Sequence, residues 1–165
     1  MKFLKLTVWM AVFFLLQTVF ADAIRICGYV PDMLMAFAMI YSFYEREKTY
    51  LLFTVIFCGV LAGSGVGREF SLVVLFTAIG CVSSSIASER LRFVPEFVRL
   101  FFVIIVDVFV LGCCEFFVVQ NGIGSTFDVT KIIPHTIYTT AVAGIMCPIM
   151  VRTILYKPRK KFTVV

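Results

Sequence analysis

The chain has 165 residues, of which 61% are hydrophobic and only 15% charged, with a formal net charge of +5 at pH 7. Soluble domains are roughly 45–50% apolar and about 25% charged. This chain therefore has too few charges to cover a water-soluble fold of its length, whereas a bilayer would solvate apolar surface directly. The positive charge is not a nucleic-acid footprint, because the basic residues sit in short segments between apolar runs, as they do beside membrane spans.

Six apolar segments, at about residues 6–21, 27–44, 49–63, 70–87, 97–119 and 134–155, are expected to form a six-helix transmembrane bundle within a single membrane domain. A span takes roughly 20 mostly apolar residues, with a range of about 17–25. The second, fourth, fifth and sixth segments meet that requirement, and the first is marginal. Lys2 and Lys5 ahead of the first segment and Ala21-Asp22-Ala23 behind it also outline a secretory signal. Its length and the bulky Phe20 favour a retained helix. The second segment opens on Pro31-Asp32. A proline suits a first helical turn, and an acid there meets the positive end of the helix dipole.

The third segment covers only ~22 Å at ~1.5 Å per residue, so a crossing would have to be tilted or locally thinned. Gly63-Ser64-Gly65-Val66-Gly67 follows. It lacks the Gly-Lys-Ser/Thr of a phosphate loop and reads as a tight outer turn. In the fourth segment Gly80, Ser84 and Ser88 stand four apart, a spacing that lets helix backbones approach.

The fifth segment carries Asp107 near its middle and Glu115 nearer its outer end. Ionisable residues at such depth are costly and are site candidates by default. Their spacing puts them ~12 Å apart along the axis and ~80° around it, which does not suit a dyad sharing a proton. Each is expected to bond to a neighbouring helix. Glu115 matches His135 in depth, near the start of the sixth segment. That segment has Pro134 at its start and an interior Pro148, which predicts a kink eased by Gly144. It ends in the basic tail Arg152, Lys157, Arg159, Lys160 and Lys161, whose charges suit anionic lipid.

The six cysteines form no C-x-x-C pair and no zinc-spaced cluster. No cofactor, metal site or catalytic set is expected, and His135 is the sole histidine. With six crossings and the amino terminus inside, the cytoplasmic loops and termini hold Lys2, Lys5, Arg46, Lys48, Arg90, Arg92, Arg99, Arg152, Lys157, Arg159, Lys160 and Lys161. The outer loops hold Arg25, Arg68 and Lys131. That is 12 of the 15 basic residues against 3. The positive-inside rule thus predicts both termini in the cytoplasm and requires the short third segment to cross.

Taken in order, Pro31-Asp32, then Gly63, Ser64 and Gly67, then Asp107 and Glu115, then Gly144 and Pro148 before a basic tail resemble the MreD family of bacterial rod shape-determining membrane proteins. The resemblance covers nearly the whole chain. Two positions depart from the family's pattern: Gly59 stands where an acidic residue is frequent, and Ala143 where an Asn often precedes the glycine of the last helix. The resemblance implies a non-enzymatic subunit of the cell-elongation machinery in the cytoplasmic membrane. Such a subunit binds MreC and works with RodA, a class B penicillin-binding transpeptidase and the MreB filament. It also implies a fold similar to the substrate-binding subunits of energy-coupling-factor transporters. That fold relation, with the acids of the fifth segment, gives the alternative expectation of a small-molecule transport subunit with an intramembrane ligand site.

Overall fold

Six α-helices follow one another in chain order: α1 (Lys2–Thr18), α2 (Met33–Tyr44), α3 (Lys48–Gly65), α4 (Phe70–Arg90), α5 (Glu96–Gln120) and α6 (Val129–Met150). A π-helical turn, Val151–Leu155, continues α6. The structure, a computed structural model, describes residues 2–20, 23–25, 30–65, 70–91, 93–120 and 129–155; among these, the side chains of 65, 70–72, 111, 114–120, 129–131 and 155 are left undescribed. Every regular element among the described residues is helical.

The core is built around α2. Eleven of its twelve residues, Met33 to Phe43, are buried. A helix apolar on all sides must be enclosed on all sides, and α2 packs against each of the other five helices. Those five form a ring in the order α1, α3, α4, α5, α6, each touching the next, and the π-helical turn reaches back to α1. Phe37, Tyr41, Leu34, Met39 and Ile40 of α2 are among the largest fully buried side chains. Phe37 meets Phe13 of α1 with ring centroids 5.3 Å apart.

The ring helices turn apolar residues outward at helical spacing. Leu4, Val8, Val12 and Leu15 are exposed on α1, Leu52, Ile56 and Val60 on α3, and Leu75, Ile79, Val82 and Ile86 on α4. Phe102, Ile105 and Phe109 are exposed on α5, and Ile137, Ile145 and Ile149 on α6. Soluble monomers rarely carry contiguous apolar surface on this scale. Two helical stretches, Val73–Arg90 and Ile132–Ile154, are long and apolar enough to cross a membrane. Met33–Tyr44 and Lys48–Ser64 are apolar but shorter.

Several element boundaries differ from those expected. α2 begins at Met33 rather than near residue 27, because Asp32 is its N-cap and accepts from the Met35 amide at 3.1 Å. Pro31 therefore precedes the cap instead of occupying the first turn. Gly63 and Ser64 are helical, not part of a turn. α3 runs on to Gly65, and the Ser64 hydroxyl donates to the Leu61 carbonyl at 2.9 Å. Gly67 lies outside the described residues. α6 starts at Val129, which puts Pro134 more than one turn inside the helix, where only one carbonyl, that of Thr130, loses its donor. Near the other end, Pro148 leaves the Gly144 carbonyl without its usual amide, and the helix widens to π geometry from Val151. Such single π turns are a recognised way of absorbing a local break in the hydrogen-bond ladder.

Candidate functional site

The polar groups that tie the bundle together gather at the two ends of α2. At its carboxyl end stands Glu45, only 6% exposed. The Lys2 ammonium donates to its Oε2, as does the Tyr41 hydroxyl at 3.1 Å. The backbone amides of Arg46 and Glu47 donate to Oε1 at 3.1 and 3.2 Å. Burial pushes this carboxyl up, but the bonds from Lys2, the Glu47 amide, Tyr41 and the Arg46 amide outweigh it and hold Glu45 below its ordinary value. Lys2 also lies over the Tyr50 ring, 4.2 Å from its centroid. Arg46 pairs with Glu89 at 2.8 Å on the surface. Arg99 stacks over Phe43 at 4.9 Å, with its buried Nε unpartnered among the described residues.

These contacts bring the starts of α1, α3 and α5 together with the ends of α2 and α4. The Tyr44 hydroxyl and Cys147 thiol, 3.9 Å apart, add the end of α6. The helices therefore alternate in direction, and Lys2, Arg46, Lys48, Arg90 and Arg152 share one end of the bundle, called the basic end below.

At the amino end of α2 the first amides are consumed inside the protein. The Asp32 amide donates to Thr139 Oγ1 of α6 at 3.2 Å. The Leu34 amide donates to Gln17 Oε1 of α1 at 3.1 Å, and the Met35 amide to Asp32. Because Thr139 is midway along α6, α2 begins within the bundle rather than at its surface. Its 12 residues span only ~18 Å. The first amides of a helix have no intrahelical partner, and here Gln17 and Thr139 supply acceptors. The Tyr138 hydroxyl donates to the Ile24 carbonyl and pins the chain that leads into α2.

Asp107, half-buried on α5, is bonded to Ser83 of α4. The Ser83 hydroxyl also lies 2.9 Å from the Gly80 carbonyl. The Glu115 side chain lies outside the described residues, and so does its expected pairing with half-buried His135. The small-residue stripe of α4 faces inward: a Cβ on Gly80 would meet Met35 and Met39 of α2 at 3.3 Å, and Ser84 and Ser88 are buried. Gly144 admits Phe101 of α5, whose ring would lie 3.0 Å from an added Cβ. Of the basic tail, Arg152 is exposed in the π-helical turn; Lys157, Arg159, Lys160 and Lys161 lie outside the described residues.

Sequence reasoning missed Lys2 with Glu45, Gln17, Thr139 and Ser83, and the packing contact of Gly59. Glu45 had a usable signal: an acid at the carboxyl end of a helix opposes the dipole and calls for a cation. A Cβ on Gly59 would stand 3.1 Å from the Val74 Cα, so α3 and α4 approach there almost backbone to backbone. Any side chain at this position would have to displace the α4 backbone. Cys58, Cys81, Cys113 and Cys147 are free thiols, and no three His, Cys, Asp or Glu residues converge among the described residues. No family model, curated protein or solved structure matches this sequence.

Proposed function

We propose that the chain is a multi-pass scaffold subunit of the bacterial cytoplasmic membrane, an MreD-like component of the cell-elongation machinery without chemistry of its own. In this reading all six helices cross, both termini are cytoplasmic and the basic end faces the cytoplasm. MreC is the direct partner, and RodA, a class B penicillin-binding transpeptidase and the MreB filament belong to the same assembly.

The observation that carries the reading is the enclosed α2 inside a ring whose outer surface is apolar on every helix. Lipid accommodates such a surface, and helix packing holds such a centre. The gathering of basic side chains at one end supports the orientation. The sealed start of α2 favours a scaffold over a transport subunit. A half-helix that binds an anionic substrate keeps its first amides available, whereas here Gln17, Asp32 and Thr139 occupy them. The order of Pro31-Asp32, Asp107, Gly144 and Pro148 along the chain is what directs the scaffold reading to cell elongation.

The test is affinity capture of the tagged full chain from detergent-solubilised membranes of its native host. Recovery of MreC is the expected result; capture of an intact, folded chain that never recovers MreC contradicts the proposal.

A further inference from the structure

Arg99 stands in the first turn of α5, at the basic end of the bundle. Its side chain does not turn freely into water. It is half-buried, with the guanidinium over the ring of Phe43 at the end of α2. The Nε is buried, while the rest of the fork keeps some exposure, and no hydrogen bond or ion pair reaches either part among the described residues.

This cation is placed at a cost. A positive charge in a first helical turn opposes the helix dipole, and burial removes hydration that only an acceptor can replace. Carboxylates are at hand, but none serves it. Glu45 is taken by Lys2, and Glu89 by Arg46. Glu96 stands three residues before Arg99 on the same helix, a spacing at which ion pairs form, yet it is exposed and does not bond Arg99. Glu47 is exposed as well and does not bond it. Neither residues 91–95 nor the tail 156–165 contains an acidic side chain. The contrast with Glu45 is direct. An acid that opposes the dipole of α2 is given a cation by the chain, whereas a cation that opposes the dipole of α5 is given no anion.

An apolar track starts beside the same residue. Phe102, Val106 and Val110 follow Arg99 by three, seven and eleven positions, a spacing that keeps them on one face of α5. They are 60%, 40% and 48% exposed. The track runs ~12 Å along the helix, away from the basic end.

We infer that Arg99 holds the phosphate of one anionic glycerophospholipid of the leaflet at the basic end, with an acyl chain lying along Phe102, Val106 and Val110. A guanidinium fork matches two phosphate oxygens at once. In the lipid, the chains leave the phosphate toward the bilayer centre; on the protein, the track leaves Arg99 in the same direction. A carboxylate of a cytoplasmic protein would supply the charge but make no use of the track. The inference rests on the membrane reading proposed above, but not on any protein partner.

The experiment is native mass spectrometry of the purified full chain titrated with dioleoyl-phosphatidylglycerol or dioleoyl-phosphatidylcholine, with thermal unfolding followed in parallel. Wild type is expected to hold one phosphatidylglycerol about fivefold more tightly than phosphatidylcholine, the gain from one basic residue near an anionic headgroup. Arg99→Gln should abolish that preference, and Arg99→Lys, which keeps the charge but not the fork, should retain part of it. Arg152→Gln, which removes an exposed cation from the same end, should leave it unchanged. Phosphatidylglycerol should raise the unfolding midpoint of wild type more than that of Arg99→Gln. Equal preference in wild type and Arg99→Gln overturns the site. So does an Arg99→Gln chain that loses stability without lipid yet keeps the phosphatidylglycerol response, which would make Arg99 a structural cation only. Displacement of the lipid by inorganic phosphate would make this a soluble-anion site, and loss of a co-purifying protein in Arg99→Gln with lipid preference intact would give Arg99 to a protein carboxylate; either result overturns the lipid assignment. If Arg99→Gln fails to fold, Arg99→Lys decides. Carbonate extraction separates the two levels. Release of the chain from membranes ends the membrane reading and the lipid site together; a chain that resists extraction yet shows no Arg99 effect ends the lipid site only.

Discussion

The two ends of α2 solve opposite electrostatic problems. At its start, Asp32 sits where the helix dipole is positive, and the cap bond to Met35 adds to a favourable field. At its finish, Glu45 sits where the dipole is negative and is buried as well. It is held by a cation from another helix, a tyrosine hydroxyl and two backbone amides. The start is secured by Gln17, Thr139 and an acid that the dipole favours, the finish by an acid that the dipole opposes and that needs a cation from another helix. The carboxyl end should therefore be the more fragile of the two under mutation and under acid.

Lys2→Ala tests this most severely. It leaves a buried carboxylate without its countercharge, a change of the kind that costs about 3 kcal/mol. Denaturant unfolding of the purified chain in detergent should show the loss, and Glu45→Gln should recover part of it in the Lys2→Ala background. A loss below about 0.5 kcal/mol would mean the pair is an incidental surface contact.

The pH dependence sharpens the same point. Glu45 is held below its ordinary value of 4.5. Its contribution is therefore complete above that value and disappears as pH falls through the lower value of the folded state. Unfolding midpoints measured from pH 7 down to pH 3 should drop in the acid range, and Glu45→Gln should flatten that part of the curve.

Smaller effects are expected at the amino end. Gln17→Ala and Asp32→Ala each leave one α2 amide short of an acceptor and should cost about 1 kcal/mol. Arg46→Ala removes an ion pair in which both side chains are more than half exposed, and a change under about 0.5 kcal/mol is expected. Should Gln17→Ala prove more damaging than Lys2→Ala, the contrast between the two ends would be reversed.

Helix number and alternation were legible in the sequence because apolar runs and polar breaks are local signals. An acid at the start of α2 was legible for the same reason, although not that Asp32 caps the helix from one residue ahead of it. What local reading could not supply was the depth at which α2 begins. Residues 27–32 are as apolar as many helix starts, and only the contacts of Asp32 with Thr139, 107 residues away, and of Leu34 with Gln17 fix the boundary. Gly63 and Ser64 were misread because a glycine pair looks like a turn, whereas Ser64 can satisfy a helical carbonyl of its own. Asp107 stood out by its cost in an apolar run, but its partner Ser83 belongs to an ordinary-looking helix. Gly59 attracted notice only through the expected family pattern; its close approach to Val74 on α4 is a tertiary contact that no local signal announces.

The most direct test of the six-crossing arrangement is labelling of single cysteines in a cysteine-free background with a membrane-impermeant maleimide. Arg25→Cys should be labelled in intact cells or spheroplasts. Glu47→Cys and Phe93→Cys, both exposed on the basic end, should be labelled only after the membrane is opened. Labelling of Glu47→Cys from outside, or identical labelling of all three positions, would contradict the alternating topology and the cytoplasmic placement of the basic end.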